Sequence, residues 1–204
     1  EPIIETDSEV KIKVKAVGIC GSDIHRYALL GPYVPGTVWG HEFSGEVVAV
    51  GKNVTKVKVG QKVTACPALY CGKCDSCKKA KFAQCENLGV IGQHHQGAFA
   101  EYIVMEEENV VPVPENVSYD AAAMVEPSCV VAHGYYKVNL DPGDTVAVVG
   151  CGTIGLLAIQ WAKIFGASKV IAIDIDDAKL ELAKKLGADE TLNSRNKEPF
   201  EEVH

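Results

Sequence analysis

The sequence predicts a mixed β and α/β fold, with a β-rich domain over residues 1–120 and a parallel-sheet domain over residues 121–204. The first part alternates apolar and polar residues between glycines, which is typical of half-buried strands. The second part alternates short apolar runs with segments of helical spacing, which is typical of βαβ units. A length of 204 residues allows one large domain, or one domain plus part of another.

The strands of the first part follow from its alternation. Apolar residues alternate with lysines over residues 10–16, as in a strand with one buried face. Further strands are expected over residues 45–50, 57–64, 99–105 and 110–113. Pro112 has no N–H to donate, so it marks an edge strand or an exit from the sheet.

The second part predicts a parallel sheet covered by helices. A helix should begin after Ser118, and the wholly apolar run 145–149 should be a strand buried on both faces. Next come a helix over 152–165, a strand over 169–173, a helix over 177–186 and a strand over 190–192. This is half of a doubly wound domain, so we expect that domain to be incomplete. The first residue is Glu1 rather than Met, so we expect earlier residues to be missing too.

Composition narrows the function class. A net charge of −7 argues against a surface for nucleic acid or for anionic membranes. No apolar run is long enough to cross a bilayer, and the start of the sequence does not have the pattern of a secretory signal. We therefore expect a cytoplasmic protein with a small-molecule substrate, and with neither nucleic acid nor membrane as partner.

Four cysteines within residues 71–85 predict a closed metal site. They are spaced C-x2-C-x2-C-x7-C, at Cys71, Cys74, Cys77 and Cys85. The segment has too few apolar residues to form its own core, and a tetrahedral Zn²⁺ held by four thiolates would fix it. Two disulfides, an iron–sulfur cluster and a nucleic-acid-binding zinc ribbon are weaker alternatives, given the inferred reducing compartment, the cysteine gaps and the acidic chain.

A second metal site, with an open position, is expected from ligands far apart in sequence. Cys20, His41 and Glu126 supply a thiolate, an imidazole and a carboxylate, a donor set that leaves room for water or substrate on zinc. Glu42 is a competing carboxylate, and Asp23 is expected to orient the His41 ring. Each residue alone has a simpler interpretation as a buried or solvated side chain.

A proton path is expected beside this second site. The Ser22 hydroxyl lies two residues after Cys20 and is expected to take the proton of a metal-bound alcohol. His25 is the next carrier towards solvent, because the pKa of imidazole lies near neutrality.

A glycine turn predicts a dinucleotide site. Gly150, Gly152, Thr153, Ile154 and Gly155 belong to a G-x-G-x-x-G pattern that follows a strand and opens a helix. Such a turn brings a pyrophosphate close to the N–H groups of the helix start. Asp174 ends the next strand and would accept hydrogen bonds from the adenosine ribose and repel a 2′-phosphate, which favours NAD over NADP. Lys179 would help hold the ribose.

These motifs together resemble the zinc-containing medium-chain dehydrogenase/reductase family. The family's order is matched by CGSDIH, GHEFSGEVVAVG, the four-cysteine spacing, GAFAEY, MVEP and VGCGTIG. Glu126 stands in MVEP where simple alcohol dehydrogenases place a cysteine. In this feature the chain resembles the polyol dehydrogenase branch, which includes the sorbitol, galactitol-1-phosphate and arabitol-phosphate enzymes.

The resemblance implies a GroES-like catalytic domain followed by a Rossmann domain. It implies hydride transfer from a secondary alcohol of a polyol or polyol-phosphate to NAD, in a homodimer or homotetramer. It also implies catalytic zinc on Cys20, His41 and Glu126 and structural zinc on the four cysteines, with Glu42 a ligand in some relatives. A threonine or butanediol dehydrogenase is the close alternative, and a zinc-stabilised binding protein is the alternative from another class.

Overall fold

The computed structural model describes residues 1–195. The chain divides into two compact units, Glu1–Glu126 and Pro127–His204. The first is built on an antiparallel sheet and the second on a parallel sheet, which confirms the mixed β and α/β fold class. Among the described residues no helix combines the length and apolarity needed to cross a membrane.

The first unit is built on a five-stranded sheet. Its strands are β1 (Glu9–Gly18), β2 (Glu42–Val50), β3 (Lys62–Ala65), β6 (Tyr102–Glu106) and β7 (Val110–Pro112), in the order β6-β1-β2-β3-β7. A separate pair joins β4 (Ala68–Leu69) to β5 (Gly89–Val90). Pro112 lies in an edge strand, as its missing N–H predicts.

The strand predicted over 57–64 is shorter than expected. Only Lys62–Ala65 pairs in the sheet, because Lys58 and Gln61 close a turn on each other ahead of it. The Gln61 N–H donates to the Lys58 carbonyl at 3.1 Å, and the Gln61 Oε1 accepts from the Lys58 N–H at 3.2 Å. Val57 is nevertheless 6% exposed, so its apolar side chain belongs to the core without being in a strand.

Short helices connect these strands. They are α1 (Gly21–His25), a π-helical turn (Arg26–Leu30), α2 (Asp75–Lys78), 3-10 turns at Phe82–Gln84 and Glu107–Asn109, and α3 (Tyr119–Ala123). The predicted start after Ser118 is confirmed, since the Ser118 hydroxyl accepts the Ala121 N–H at 3.1 Å and caps α3.

The core of the first unit lies between the strands of the sheet and the loops around it. Phe43 and Ile12 are its largest fully buried side chains. Each contributes roughly 1.5–3 kcal/mol by leaving water. The core fixes β1 against β2, and the ends of these two strands hold the candidate site described below.

The second unit has the predicted βαβα order. Its elements are β8 (Thr145–Val149), α5 (Thr153–Ile164), β9 (Lys169–Asp174), α6 (Asp177–Lys185) and β10 (Glu190–Asn193), with parallel strands in the order β10-β9-β8. An additional helix, α4 (Val125–Val138), was not predicted. The expectation that residues 145–149 are buried on both faces is wrong for the part of the chain that the structure describes, where β8 pairs only with β9 and Val149 is 81% exposed.

Candidate functional site

The pairing of β1 with β2 brings Cys20 to His41. Gly18 at the end of β1 lies opposite Glu42 at the start of β2. Cys20 follows two residues later as the N-cap of α1, and His41 directly precedes β2. The candidate ligand atoms of Cys20, His41 and Glu42 all lie within 4.8 Å of one another.

This three-residue cluster has the donor set that zinc prefers. Sulfur, imidazole nitrogen and carboxylate oxygen are its usual ligands in an open site. His41 and Glu42 are 7% and 6% exposed, and His41 Nδ1 is buried without a hydrogen-bond partner among the described residues. A buried polar atom of this kind is costly unless a ligand satisfies it. The cluster therefore fits a metal ion.

Glu126 lies near this cluster without being one of its three members. The side chain is partly buried, and burial raises the pKa of its carboxyl. The neighbouring His41 lowers that pKa and the neighbouring Glu42 raises it, so Glu126 is within electrostatic reach of both. Of the two carboxylates that the sequence offered, the structure brings Glu42 into the cluster and leaves Glu126 beside it.

Asp23 is hydrogen-bonded to the backbone of Cys20. Its carboxylate is 6% exposed and accepts the Cys20 N–H at 3.1 Å, while the Asp23 N–H donates to the Cys20 carbonyl at 3.0 Å. No hydrogen bond joins Asp23 to the His41 ring among the described residues, so the expectation that Asp23 orients that ring stays a prediction. The start of α1 consequently holds the thiol in place.

The two residues of the expected proton path both lie on α1. Ser22 is partly buried and His25 is exposed, and a spacing of three residues places them on one side of the helix. No hydrogen bond joins their side chains in the described part of the chain. Both residues therefore lie on the helix that begins after Cys20, but no hydrogen bond connects their side chains in the described part of the chain.

An apolar cleft of about 300 Å³ adjoins the start of α1. It is lined by Ile19, Asp23, Ile24, Tyr27, Trp39 and Phe99. Among the described residues its one charged lining residue is Asp23, whose carboxylate is already bonded to the Cys20 amide. The cleft therefore offers few hydrogen-bond partners to a bound molecule.

The four cysteines of the 71–85 segment converge as a second cluster. The sulfurs of Cys71, Cys74, Cys77 and Cys85 lie within 4.8 Å of one another, and none is in a disulfide. Cys74 caps α2 and Cys85 ends the 3-10 turn at Phe82–Gln84. The disulfide alternative therefore has no support in the geometry, which fits a tetrahedral thiolate site.

Backbone N–H groups favour the thiolate form on one side of this cluster. The N–H groups of Lys73 and Cys74 lower the pKa of Cys71 to about 6, whereas burial raises the pKa of Cys77 to about 12. The ring of Tyr70 stacks on Phe82 at 4.3 Å between centroids, and its hydroxyl bonds Glu108. This stack ties the segment to the sheet domain.

The glycine turn has the geometry that a phosphate site needs. Gly152 is the N-cap of α5, so the free N–H groups of its first turn face outward at the end of β8. A Cβ on Gly155 would lie 1.8 Å from the Gly150 carbonyl, so only glycine fits there. The turn therefore stays close to the helix start, and Thr153 and Ile154 form the first turn of α5.

Asp174 is bonded to this turn. Its Oδ2 accepts the Cys151 N–H at 2.6 Å, and its Oδ1 accepts the N–H groups of Ile175 and Asp176 at 2.7 and 3.0 Å. These bonds lower the pKa of its carboxyl, the Cys151 N–H most strongly. Lys179 on α6 is exposed, and its charge lowers the same pKa. The residues predicted for dinucleotide binding thus lie together.

Comparison with known proteins matches both parts of the chain. Residues 6–115 match the model of the alcohol dehydrogenase GroES-like domain, and residues 153–204 match that of the zinc-binding dehydrogenase. Sorbitol dehydrogenase of Bacillus subtilis (strain 168) is 41% identical over 200 residues, which cover 96% of this chain and 57% of that protein. The chain therefore spans little more than half the length of this relative.

Solved structures give the same result. Galactitol-1-phosphate dehydrogenase from Escherichia coli is similar with a TM-score of 0.90 and 40% identity, over 97% of this chain and 57% of that one. The 2R,3R-butanediol dehydrogenase from Bacillus subtilis is similar with a TM-score of 0.86 and 37% identity, over 100% of this chain and 61% of that one.

Proposed function

The chain belongs to the zinc-binding alcohol dehydrogenase family, and from this we propose that the whole protein oxidises a secondary alcohol of a polyol or polyol-phosphate, with NAD as hydride acceptor. The product would be a ketose or ketose phosphate. The observation that carries the proposal is the convergence of Cys20, His41 and Glu42 within 4.8 Å, with an unsatisfied buried nitrogen on His41.

We assign these three residues as the holders of the catalytic zinc. Bound zinc supplies a Lewis acid that lowers the pKa of a coordinated hydroxyl. Glu126 lies within electrostatic reach of His41 and Glu42, and its carboxylate would accept a hydrogen bond from a molecule bound at the open position. Alternatively, Glu126 replaces Glu42 as the ligand, and the variants Glu42→Gln and Glu126→Gln distinguish the two roles.

Proton transfer is assigned to α1. The Ser22 hydroxyl, two residues after the zinc-binding cysteine, would accept the proton of the bound alcohol while it donates its own proton to His25. His25 is exposed on the same side of the helix and passes it to solvent. Binding of substrate would supply the bridging geometry between the two side chains.

The dinucleotide is assigned to the second unit. Its pyrophosphate would lie at the start of α5, over Gly150, Gly152 and Gly155. Each oxygen of a carboxylate has two lone pairs, so the Asp174 Oδ2 can accept a ribose hydroxyl beside the Cys151 N–H. The same charge repels a 2′-phosphate, which favours NAD, and Lys179 would contact the ribose.

The cysteine cluster is assigned to a structural zinc ion. Four thiolates leave no open position, so Cys71, Cys74, Cys77 and Cys85 hold the metal without touching substrate. Such thiols must stay reduced, in agreement with a cytoplasmic location. We also propose a homodimer or homotetramer for the whole protein, which analytical ultracentrifugation would test.

A less polar substrate is the second candidate. The cleft beside α1 is lined by Ile19, Ile24, Tyr27, Trp39 and Phe99, and it has few partners for hydroxyl groups. Each hydroxyl buried there without a partner would cost about 1–3 kcal/mol. This observation favours a diol of the 2,3-butanediol kind, which is the substrate named for one structural relative.

A substrate panel with metal analysis tests the proposal. The whole protein would be assayed for NADH formation with sorbitol, galactitol 1-phosphate, 2,3-butanediol and L-threonine. Cys20→Ser is expected to lose one zinc ion and all turnover while the fold persists, and Cys66→Ser, an exposed cysteine outside both clusters, is the matched control. Full turnover by Cys20→Ser, or NAD-independent binding of nucleic acid as the main activity, would contradict it.

A further inference from the structure

The three residues before His41 are held by an irregular segment rather than by a strand. Residues 38–40 and 96–99 lie side by side, and neither is assigned to the sheet. Four hydrogen bonds join them: Val38 N–H to Gln96 Oε1 at 2.8 Å, Gly97 N–H to Val38 O at 2.7 Å, Phe99 N–H to Trp39 O at 2.8 Å, and Ala98 N–H to Gly40 O at 2.9 Å. Gln96 and Gly97 therefore hold both backbone groups of Val38.

The two segments touch backbone to backbone. A Cβ on Gly97 would lie 2.5 Å from the Trp39 carbonyl oxygen and 2.6 Å from that of Gly40, so no side chain fits between them. On the other side, a Cβ on Gly92 would lie 2.8 Å from the same Gly40 oxygen. The peptide that leads into His41 is thus confined from two directions by backbone atoms, which cannot move aside as a flexible side chain can.

His41 depends on this backbone for its position. His41 directly follows residues 38–40, so the backbone of that segment sets where its side chain begins. Its Nδ1, the nitrogen left for a metal ion, has no hydrogen-bond partner among the described residues. The position of the ring therefore depends on its packing and on the chain ahead of it.

We propose that Gln96 and Gly97 are positioning residues that set the His41 imidazole for zinc by fixing residues 38–40. The inference rests on the proposed function, since it requires that Cys20, His41 and Glu42 hold zinc. Neither Gln96 nor Gly97 is among the residues with candidate ligand atoms, so their effect on metal binding would be indirect.

The first test removes the side-chain bond. Gln96→Ala in the zinc-loaded whole protein should release the zinc of the three-residue site roughly tenfold faster to a chelating dye, because supporting partners of this kind are worth that much in metal affinity. Gln96→Glu keeps an oxygen acceptor for the Val38 N–H and should restore wild-type release. Zinc in the four-cysteine site should be unaffected in both.

The matched control is another glutamine that holds a loop. Gln61 Oε1 accepts the Lys58 N–H at 3.2 Å in the same unit, so Gln61→Ala removes a similar bond far from His41 in sequence. Its zinc release should equal that of the wild type. Cys20→Ser, which lacks the ligand sulfur, identifies which phase of zinc release belongs to the three-residue site.

The second test uses the glycine. Gly97→Ala should weaken zinc at the three-residue site by on the order of 100-fold, and Gly134→Ala, whose added Cβ would meet nothing within 4 Å, should not. Retained zinc at the four cysteines and an unchanged circular dichroism spectrum would show that the variant is folded. In the cobalt-substituted protein, the visible spectrum of this site should change in Gln96→Ala and Gly97→Ala alone.

The outcomes separate the two proposals. Equal zinc release from Gln96→Ala and Gln61→Ala would overturn the positioning role while leaving the zinc assignment intact. A wild type that holds zinc only at the four cysteines would overturn both. Faster release from Gln96→Ala, restored by Gln96→Glu, would support the inference.

Discussion

The carboxylate of Asp174 accepts a hydrogen bond of 2.6 Å from the N–H of Cys151, so the end of β9 is tied to the glycine turn that follows β8. Asp174 is 9% exposed and Cys151 is 1% exposed, which places this bond inside the second unit. A charge-assisted bond of this kind is about twice as strong as a neutral one. Asp174 therefore shapes the turn in addition to the ribose contact proposed for it.

Asp174→Asn should weaken NAD binding roughly tenfold and reduce the preference for NAD over NADP. An asparagine keeps only one acceptor oxygen, so an NH₂ group would face either the Cys151 N–H or those of Ile175 and Asp176. A bond to a charged group is worth about 1.5–3 kcal/mol, and 1.4 kcal/mol corresponds to a factor of ten. Fluorescence titration with both cofactors measures the change.

The control for this variant is Asp177→Asn. Asp177 lies at the start of α6, where its carboxylate accepts a hydrogen bond from Asn193 and makes no bond to the turn. The Asp177→Asn variant removes the same charge from the same region but breaks no bond to the turn. It should therefore leave the affinities for NAD and NADP almost unchanged. A similar loss in the two variants would show that net charge, rather than the bond to Cys151, determines cofactor binding.

The stability that Asp174 adds should disappear in acid. Its pKa in the folded chain is lowered, first by the Cys151 N–H, below the value of about 3.9 expected in the unfolded chain. A lowered carboxyl pKa stabilises the fold above the unfolded value, and this contribution is lost as the pH falls through the folded pKa. The difference in urea midpoint between wild type and Asp174→Asn should therefore shrink below about pH 4. A constant difference down to pH 2 would contradict this linkage.

Local spacing allowed much of the site to be predicted from sequence. The four cysteines lie within residues 71–85, and a tight segment of that length can close around one ion whatever the rest of the fold does. The glycine turn and Asp174 belong to one βαβ unit, whose geometry fixes their distance. Both sets of residues were found together as predicted.

The choice between Glu42 and Glu126 could not be made in that way. It depends on the register of β1 against β2, where Gly18 lies opposite Glu42. That register shifts between Lys11 and Ile12 and again between Val14 and Ala16, and alternation in the sequence does not show such irregularities. The direction of the Asp23 side chain likewise depends on capping geometry at Cys20.

Helix α4 was missed for a related reason. Pro127 lies in its first turn and Gly134 in its middle, and both residues usually argue against a helix. Proline is tolerated in a first turn because its missing N–H has no partner there in any case. The periodic signal was therefore interrupted where the helix begins.

Cys77→Ser should remove the structural zinc ion and leave the catalytic one. Cys77 is 6% exposed within the four-cysteine cluster, and a lost thiolate leaves an incomplete ligand set. Each 1 kcal/mol that the ion contributes to folding should lower the melting temperature by roughly 2–4 °C when the ion is lost. Zinc analysis and thermal unfolding measure both effects. Cys66→Ser should change neither, and an unchanged zinc content in Cys77→Ser would rule out the site.

Glu42→Gln and Glu126→Gln should have different effects. Each variant removes only the charge of one carboxylate, so a difference between them reports the different positions of the two side chains. Glu42 belongs to the cluster with Cys20 and His41, so its amide should weaken zinc binding by more than the roughly 10–100-fold that loss of a supporting partner costs. Glu126 lies beside the cluster, where burial raises the pKa of its carboxyl, so the Glu126→Gln variant should retain zinc. It should lower kcat, because the carboxylate proposed to contact the bound molecule is lost. Zinc analysis and steady-state kinetics on the same preparations distinguish the two roles. The opposite pattern, with zinc lost only from Glu126→Gln, would make Glu126 the ligand and Glu42 its neighbour. A carboxylate that lies near the ion without binding it is not needed to hold it.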